Sequence, residues 1–235
     1  NFGDKPQEKA PLVLTKCKSC SLVQLRHTVD PEYLFRQYFY KSGVNQTMRD
    51  HLRGIVEDVT KRVTLKEGDV VVDIGANDGT LLSYYSQDLI RVGFDPAQNV
   101  KRVCDFVQIQ EFFSSQAFSD LSQDYYGVYG VSDRKARVIS TISCFYDLDD
   151  PNAFLQDIKK VLAPDGLFVI QQNYLPAMLE NNAMDNIVHE HLCYYSLYTL
   201  DALLVKNGLE IVDYSFNDLN GGSFRVYVKH SSNPQ

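Results

Sequence analysis

The stretch Val70-Val-Val-Asp-Ile-Gly-Ala-Asn-Asp-Gly-Thr80 decides the fold of this chain. Its β-branched residues predict a buried strand, and Gly75 and Gly79 allow a tight turn before a helix that we expect to begin near Thr80. A second predicted strand, Ile90-Arg-Val-Gly-Phe-Asp95, ends in a carboxylate. Main-chain N–H groups at such a turn can approach a ligand, and the terminal acid can accept hydrogen bonds from ribose hydroxyls. Together the two strands predict a nucleoside site, although a turn of this kind is also found as a plain strand-to-helix connection.

The spacing within the turn favours one class of nucleoside ligand. A dinucleotide site has the spacing G-x-G-x-x-G, which leaves room for a pyrophosphate. Here the spacing is D-x-G-x-x-x-G, and a second acid, Asp78, precedes the last glycine. Two carboxylates would repel a pyrophosphate but suit a cationic ligand such as S-adenosylmethionine. We therefore predict that this cofactor is bound by the turn and by the end of the second strand, through Asp73, Gly75, Ala76, Asn77, Asp78, Gly79, Asp95 and Pro96.

The composition of the chain excludes several classes of protein. With a net charge of −7 over 235 residues, it lacks the clustered Lys and Arg of a nucleic-acid groove. No stretch has the apolar length needed to span a bilayer, and the first residues do not resemble a signal peptide. Five cysteines, an odd number, favour a reducing cytoplasm over a disulfide framework. We expect a cytoplasmic protein whose partner is a small molecule rather than a nucleic acid or a membrane.

The order of predicted elements divides the chain into three parts. Residues 1–30 form a partial zinc-ribbon-like segment, residues 31–65 a helical connector that covers the site, and residues 66–235 the cofactor-binding domain. In the third part, strands alternate with helices, which predicts a parallel sheet with helices on both faces. Beyond the first two strands, we predict strands at 106–109, 137–143, 167–170, 208–216 and 224–228, and helices near 97–104, 151–162 and 198–206. The turn Asn220-Gly221-Gly222 predicts that the last two strands form an antiparallel hairpin.

The cluster His189-Glu190-His191 is the strongest candidate for chemistry. It follows the strand predicted at 167–170, and the carboxyl end of such a strand faces the ligand, so residues 171–197 should overhang the site. Three interpretations stay open: a general base that Glu190 or a neighbour orients, a metal site, or a histidine with a structural role only. The spacing H-x-H is not the helical H-E-x-x-H of metalloproteases.

Two segments in the first 45 residues are ambiguous. Cys17 and Cys20 have the spacing of half a zinc ribbon, and they are either metal ligands or two ordinary thiols. The aromatic run Tyr33-Leu-Phe-Arg-Gln-Tyr-Phe-Tyr-Lys-Ser-Gly43 is either a helix that packs its rings into the core or a cover over the cofactor.

Taken together, these segments resemble the zinc-binding-domain C-methyltransferases that act on nucleotide-linked keto-deoxysugars, and the resemblance covers nearly the whole chain. It rests on Cys17-Lys-Ser-Cys-Ser-Leu-Val-Gln-Leu25, Tyr38-Phe-Tyr-Lys-Ser-Gly43, Val72-Asp-Ile-Gly-Ala-Asn-Asp-Gly-Thr80, Gly93-Phe-Asp-Pro-Ala-Gln-Asn99, His189-Glu-His-Leu-Cys-Tyr-Tyr-Ser196 and Asn220-Gly-Gly-Ser-Phe-Arg225. The implied fold is α/β: a Rossmann-like class I methyltransferase with a mostly parallel seven-stranded sheet, a terminal antiparallel hairpin and a small N-terminal zinc-ribbon remnant.

The resemblance also implies roles for individual residues. His191 is the expected base that removes a proton α to the sugar ketone, Glu190 supports its imidazole, and His189 belongs to the same catalytic motif. Tyr38 and Tyr40 are expected near substrate and cofactor. A structural Zn²⁺ in this family is held by two CxxC pairs. Cys17 and Cys20 would be the second pair, with the first upstream of this sequence, and a further substrate-binding domain would follow it.

The sequence departs from the family at two positions of the substrate pocket. Val188 stands where a tyrosine often precedes H-E-H, and Tyr146 stands where we expect a histidine. The predicted function is methylation of a sugar carbon. The alternatives are O- or N-methylation of another small metabolite, and a non-catalytic module that only binds S-adenosylmethionine.

Overall fold

A computed structural model describes residues 9–124 and 135–232, where helices and loops connect ten strands. In chain order the elements of that part are β1 (Leu14–Lys16), β2 (Val23–Leu25), α1 (Pro31–Phe35), α2 (Gln46–Arg62), β3 (Val70–Ile74), β4 (Ile90–Phe94), β5 (Val107–Ile109), α3 (Ser115–Asp124), β6 (Ala136–Ile142), α4 (Pro151–Val161), β7 (Leu162–Asn173), α5 (Leu175–Glu180), β8 (Cys193–Tyr194), α6 (Leu197–Lys206), β9 (Leu209–Asn217) and β10 (Ser223–His230). None of these helices is long and apolar enough to cross a membrane.

Seven strands form the main sheet in the order β5-β4-β3-β6-β7-β10-β9. The pairs from β5 to β7 are all parallel. β10 lies between β7 and β9 and runs antiparallel to both. This arrangement confirms the predicted mostly parallel sheet with a terminal antiparallel hairpin. It also shows that the last strand is inserted next to β7 rather than added at the edge.

Both faces of the sheet are covered, which explains why β3 is apolar without alternation. Successive residues of a strand point to opposite faces, and buried parallel strands therefore need apolar side chains on both sides. Ile55 and Val59 of α2 belong to the same buried cluster as Val71. On the opposite face, Leu155 of α4 and Val72 belong to a second cluster. Helices therefore cover the sheet on both faces.

The strand that follows α4 is longer than the sequence predicts. β7 begins at Leu162, and its pairing with β6 skips from Leu162 to Leu167, so the intervening residues bulge from the ladder. The bulge falls on Pro164-Asp-Gly166, a sequence that indicates a turn. Proline has no N–H to donate to a neighbouring strand, which explains the break in pairing. At its other end β7 continues to Asn173, beyond the expected end at 170.

The helix expected from Thr80 is wrong. Only a single 3₁₀ turn, Leu82–Tyr84, lies between β3 and β4. The hydroxyl of Ser83 donates to the carbonyl of Thr80 at 2.6 Å, and side-chain bonds of this kind compete with the main-chain bonds of a helix. With β4 starting at Ile90, the connection has little room for a longer helix.

The helix expected near 97–104 is also wrong. The described main-chain bonds of this segment go to other parts of the chain: the N–H of Gln98 donates to Arg36 O at 3.0 Å, and that of Val103 donates to Asp78 O at 2.8 Å. Long-range partners thus replace the bonds within a helix. Through the Gln98–Arg36 bond, this segment is attached to the connector.

The connector 31–65 is helical at both ends but not in the middle. Asp30 caps α1 by accepting from Glu32 N at 2.9 Å, and Asn45 caps α2 by accepting from Thr47 N at 2.8 Å. Between the two helices the aromatic run leaves the helical conformation.

A second, small antiparallel sheet is formed by β1, β2 and β8. It joins the cysteine hairpin to the chain just after the H-E-H cluster.

Candidate functional site

A cavity of about 530 Å³ lies at the carboxyl ends of the parallel strands, where open α/β sheets bind their ligands. Its walls come from the connector, the turn after β3, the end of β4, the segment after β6 and the loop that follows α5. The site therefore contains both the nucleoside motif and the second histidine of H-E-H.

The turn after β3 has an unusual backbone that the sequence anticipates. Gly75, Asn77 and Gly79 have φ values of +75°, +52° and +81°, in the left-handed region that glycine adopts most readily. The N–H groups of Gly75 and Ala76 donate to Phe94 O at 2.8 and 3.0 Å, so the turn is fastened to β4. A Cβ on Gly75 would lie 3.1 Å from Cβ of Cys144. These constraints bring the main chain to the cavity wall.

Asp95 lies in this wall and is fixed by the main chain. Its carboxylate accepts from Asn77 N at 2.7 Å and from Ala97 N at 2.8 Å. Burial raises the pKa of Asp95, and the two N–H donors act in the opposite direction. A carboxylate has about four lone-pair sites, so acceptor capacity remains for hydroxyl groups of a ligand. Pro96 also lines the cavity.

Asp73 lies at the same wall in a drier environment. Ser140 donates its hydroxyl to Oδ1 of Asp73 at 2.7 Å. Burial raises the pKa of Asp73 to about 7, against the effect of the serine bond. A cation placed next to it would favour the ionised form. Ala76 and Asn77 complete this part of the lining.

Asp78 and Gly79 do not contribute to the cavity wall formed by the described residues. Asp78 accepts from Gly43 N at 2.8 Å and from the Thr80 hydroxyl at 2.6 Å. Gly79 lies against the ring of Phe106, which a Cβ would overlap. The second acid of the motif thus ties the connector to the turn.

The aromatic run forms a cover over the cavity. Tyr38 and Tyr40 both line it. The main chain of Tyr38 exchanges two hydrogen bonds of 2.9 Å with the side chain of Asn99, and Tyr40 O accepts from Asn77 at 3.0 Å. Burial, reinforced by the charge of Asp147, raises the pKa of the Tyr38 phenol. Of the two interpretations of this segment, the structure supports the cover.

His191 enters the opposite wall of the cavity. Its Nδ1 lies 2.8 Å from the main-chain carbonyl of Asn186. Because a carbonyl only accepts, Nδ1 carries the proton and the lone pair of the neutral ring is on Nε2. No group within residues 9–124 and 135–232 is hydrogen-bonded to that Nε2. The ring packs on Tyr146 with centroids 4.3 Å apart, and burial lowers the pKa of His191.

The other two members of H-E-H lie outside the described cavity wall. His189 donates from Nε2 to Ala10 O at 2.9 Å, which ties the loop to the N-terminal segment. Of the expected orienting groups, Glu190 or a neighbour, it is not Glu190 that is hydrogen-bonded to Nδ1, because Asn186 O occupies that atom. Glu190 acts on His191 only through its charge, which raises the pKa of the ring and opposes the larger effect of burial.

Asp147 is a cavity residue that the sequence analysis missed. Its Oδ1 is buried without a hydrogen-bond partner in the described part of the chain. Burial and the charge of Glu190 raise the pKa of Asp147 well above its usual value. Its position shortly after β6, at the ligand edge of the sheet, is the signal that could have identified it.

Cys17 and Cys20 lie in a tight hairpin. The N–H of Ser21 donates to Cys17 O at 3.0 Å, and Ser21 has a φ of +63°. Main-chain N–H groups at Cys20 and Ser19 lower the pKa of Cys17. Across residues 9–124 and 135–232, however, no three His, Cys, Asp or Glu side chains group together as a metal site.

Comparison with known proteins agrees with this geometry. The pattern of the family described as "Methyltransferase domain" matches residues 47–214. The chain is 34% identical to C-methyltransferase NovU of Streptomyces niveus over 219 residues, which make up 93% of this chain and 51% of NovU. The chain therefore belongs to the class I, S-adenosylmethionine-dependent methyltransferase family. It spans about half the length of this curated relative.

Solved structures with little sequence identity share the fold. One is the complex of the Haloferax volcanii Trm112 methyltransferase activator with a methyltransferase, with a TM-score of 0.58, 17% identity, and coverage of 80% of this chain and 93% of that chain. Another is the plantazolicin methyltransferase BpumL in complex with a triazolic desmethylPZN analogue and SAH, with a TM-score of 0.55, 12% identity, and coverage of 80% of this chain and 86% of that chain.

Proposed function

We propose that this chain transfers the methyl group of S-adenosylmethionine to a carbon next to the ketone of a nucleotide-linked deoxysugar, with His191 as the base. The family supports methyl transfer, and the name of the relative NovU supports carbon as the acceptor atom. The sugar substrate rests on the motif resemblance. Methyl transfer to carbon differs from the alternatives in needing a base strong enough for a C–H bond.

The turn and Asp95 are the proposed cofactor-binding groups. Asp95 has spare acceptor capacity for the ribose hydroxyls, because its two main-chain donors leave lone pairs unused. Gly75 and Ala76 let the main chain approach the ligand, and Asp73 offers a carboxylate to its cationic groups. When bound, the cofactor supplies an electrophilic methyl group.

The observation that carries the proposal is the protonation pattern of His191. Nδ1 is occupied by the Asn186 carbonyl, so Nε2 is the basic atom of a ring that lines the cavity. Burial lowers the pKa of His191, which keeps the imidazole neutral at pH 7. His191 Nε2 takes the α-proton of the sugar, and the electron pair of that C–H bond forms the new C–CH₃ bond. S-adenosylmethionine, when bound, would supply the methyl group and would keep the electrons of the broken sulfonium–methyl bond on its sulfur.

Tyr38 and Tyr40 cover the reacting groups. Because burial raises its pKa, the Tyr38 phenol keeps its proton and can donate a hydrogen bond to the sugar ketone. Negative charge grows on that oxygen as the α-proton leaves, so this bond strengthens during the reaction. The cover also excludes water, which would otherwise compete for the proton.

Zinc forms a separate part of the proposal. Cys17 and Cys20 are offered as two thiolate ligands of a structural Zn²⁺, with the geometry of their hairpin in support. A structural zinc takes four ligands, so the other two would be residues outside the described part of the chain. Metal analysis of the purified natural protein tests this part, and a zinc-free active protein would contradict it.

The experiment that tests methylation uses a panel of nucleotide-linked keto-deoxysugars. With S-adenosylmethionine, we expect release of S-adenosylhomocysteine and a product whose new methyl carbon is bonded to carbon by NMR. In D₂O without cofactor, we expect exchange of the proton α to the ketone. A methyl group on oxygen or nitrogen would instead establish the alternative methyltransferase function. Cofactor binding by calorimetry without turnover or exchange would establish a binding module.

A further inference from the structure

The hairpin turn Asn220-Gly221-Gly222 lies close to His191, the proposed base. The carbonyl of Asn220 accepts from Nδ2 of Asn186 at 3.2 Å, and Oδ1 of Asn186 accepts from Nδ2 of Asn173 at 2.8 Å. The carbonyl of the same Asn186 accepts the proton on Nδ1 of His191. Asn186 is therefore held at both ends of its side chain while its main chain holds the base.

The two groups that hold Asn186 come from well-anchored elements. Asn173 is the buried last residue of β7, in register with Ser223 of β10. Asn220 has a φ of +53°, and the two glycines after it also have positive φ values. A Cβ on Gly222 would lie 2.5 Å from Cβ of Ala177. The turn thus packs tightly against α5, which leads directly into the loop of Asn186.

The hydrogen bonds that hold Asn186 bear on which ring nitrogen of His191 carries the proton. The two tautomers of a neutral imidazole are set by the hydrogen bond that one nitrogen makes. If Asn186 moves, the proton is no longer held at Nδ1, and a ring protonated at Nε2 cannot accept a proton there. The sequence suggested that Glu190 does this work, but the structure uses a main-chain carbonyl that two asparagines immobilise.

We propose that Asn186, held by Asn173 and by the main chain of Asn220, is the positioning residue that keeps His191 in the Nδ1–H form with Nε2 free. This inference rests on the proposed role of His191 as a base. It assigns the Asn-Gly-Gly motif and the end of β7 to the acceptor side of the reaction.

The test is substitution of Asn173, which does not line the cavity and so does not touch the acceptor directly. Asn173→Leu keeps the volume and removes the donor to Asn186. The matched control is Asn181→Leu, because Nδ2 of Asn181 also donates to this turn, at Gly221 O over 2.9 Å, but leads to no base. The full protein is labelled with ¹⁵N at histidine, and the signals of His191 are assigned from the spectrum of His191→Asn.

We expect the wild type and Asn181→Leu to show the Nδ1–H tautomer, and Asn173→Leu to show a mixture of both. The kcat of Asn173→Leu should fall about tenfold, the effect of one lost hydrogen bond, with KM unchanged and an altered pH profile. Asn186→Ala gives the same test from the other end if Asn173→Leu does not fold.

An unchanged tautomer in the folded variants, or the same change in Asn181→Leu, would overturn the inference. The NMR result does not depend on turnover, so the absence of any methylated product would contradict the proposed function alone.

Discussion

The two ends of the cavity are built in opposite ways. The proposed cofactor end comes from one continuous stretch, in which β3, its turn and β4 bond to each other through Phe94 O and the Asp95 carboxylate. The acceptor end comes from separate segments: Tyr38 before β3, Asp147 after β6 and His191 before β8. A contiguous site leaves its spacing in the sequence, whereas an assembled site leaves only isolated residues.

At each end of the cavity, two residues of the same type in one motif have different positions in the structure. At the cofactor end two acids lie on one motif, but only Asp73 lines the cavity, while Asp78 binds the connector. At the acceptor end two histidines lie on one motif, but only His191 lines the cavity. Paired residues of one type thus separate into one that lines the cavity and one that bonds to a neighbouring segment. Such pairs provide matched variants for testing each end.

The largest effect is expected at the acceptor end, from His191→Asn. Loss of a general base typically costs about 10²–10⁴-fold in rate, so we expect kcat to fall by about that factor while the Kd of S-adenosylmethionine is unchanged. Steady-state kinetics and calorimetry measure the two quantities. His189→Asn is the control and should retain kcat. Equal loss in both variants would show that the loop, and not the base, was damaged.

At the cofactor end, Asp95→Asn should weaken binding of S-adenosylmethionine. Hydrogen bonds to a charged group contribute about 1.5–3 kcal/mol, so we expect Kd to rise about 10- to 100-fold, with a much smaller change in kcat at saturating cofactor. Calorimetric titration measures this directly. Unchanged affinity would remove Asp95 from the cofactor site.

Asp78→Asn should change stability instead of cofactor affinity. It weakens the bonds from Gly43 N and from Thr80. Loss of one to two hydrogen bonds lowers Tm by about 3–6 °C in a protein of this size. Thermal unfolding without ligand gives Tm, and titration should give a Kd near that of the wild type. A large loss of affinity at unchanged Tm would return Asp78 to the cofactor site.

The smallest effect is expected from Glu190→Gln, in the pH dependence. Activity needs neutral His191, so kcat/KM should fall as the pH drops through a pKa that burial lowers below the usual value of about 6.5. The charge of Glu190 raises that pKa. Its removal should therefore move the acidic limb of the profile to lower pH and leave the plateau unchanged. A collapsed plateau would mean that Glu190 takes part in the chemistry.

Much of the fold could be predicted because its signals are local. The valines of β3, the pattern that predicts a helix at 151–162 and the Asn-Gly-Gly turn each act within a few residues. The helix expected at 97–104 failed because distant partners, such as Arg36 O for the N–H of Gln98, took up the main-chain groups. Propensity along the chain contains no information about such partners.

The sequence by itself determined the sheet, the glycine turn and the presence of an acid at the end of β4, because strand burial and left-handed φ angles restrict which residues can stand there. Only the tertiary structure decided which of the two motif acids lines the cavity, and that the carbonyl of Asn186 lies at Nδ1 of His191. Those roles depend on contacts between residues far apart in the chain, whose geometry exists only after the sheet, the connector and the terminal hairpin have packed together.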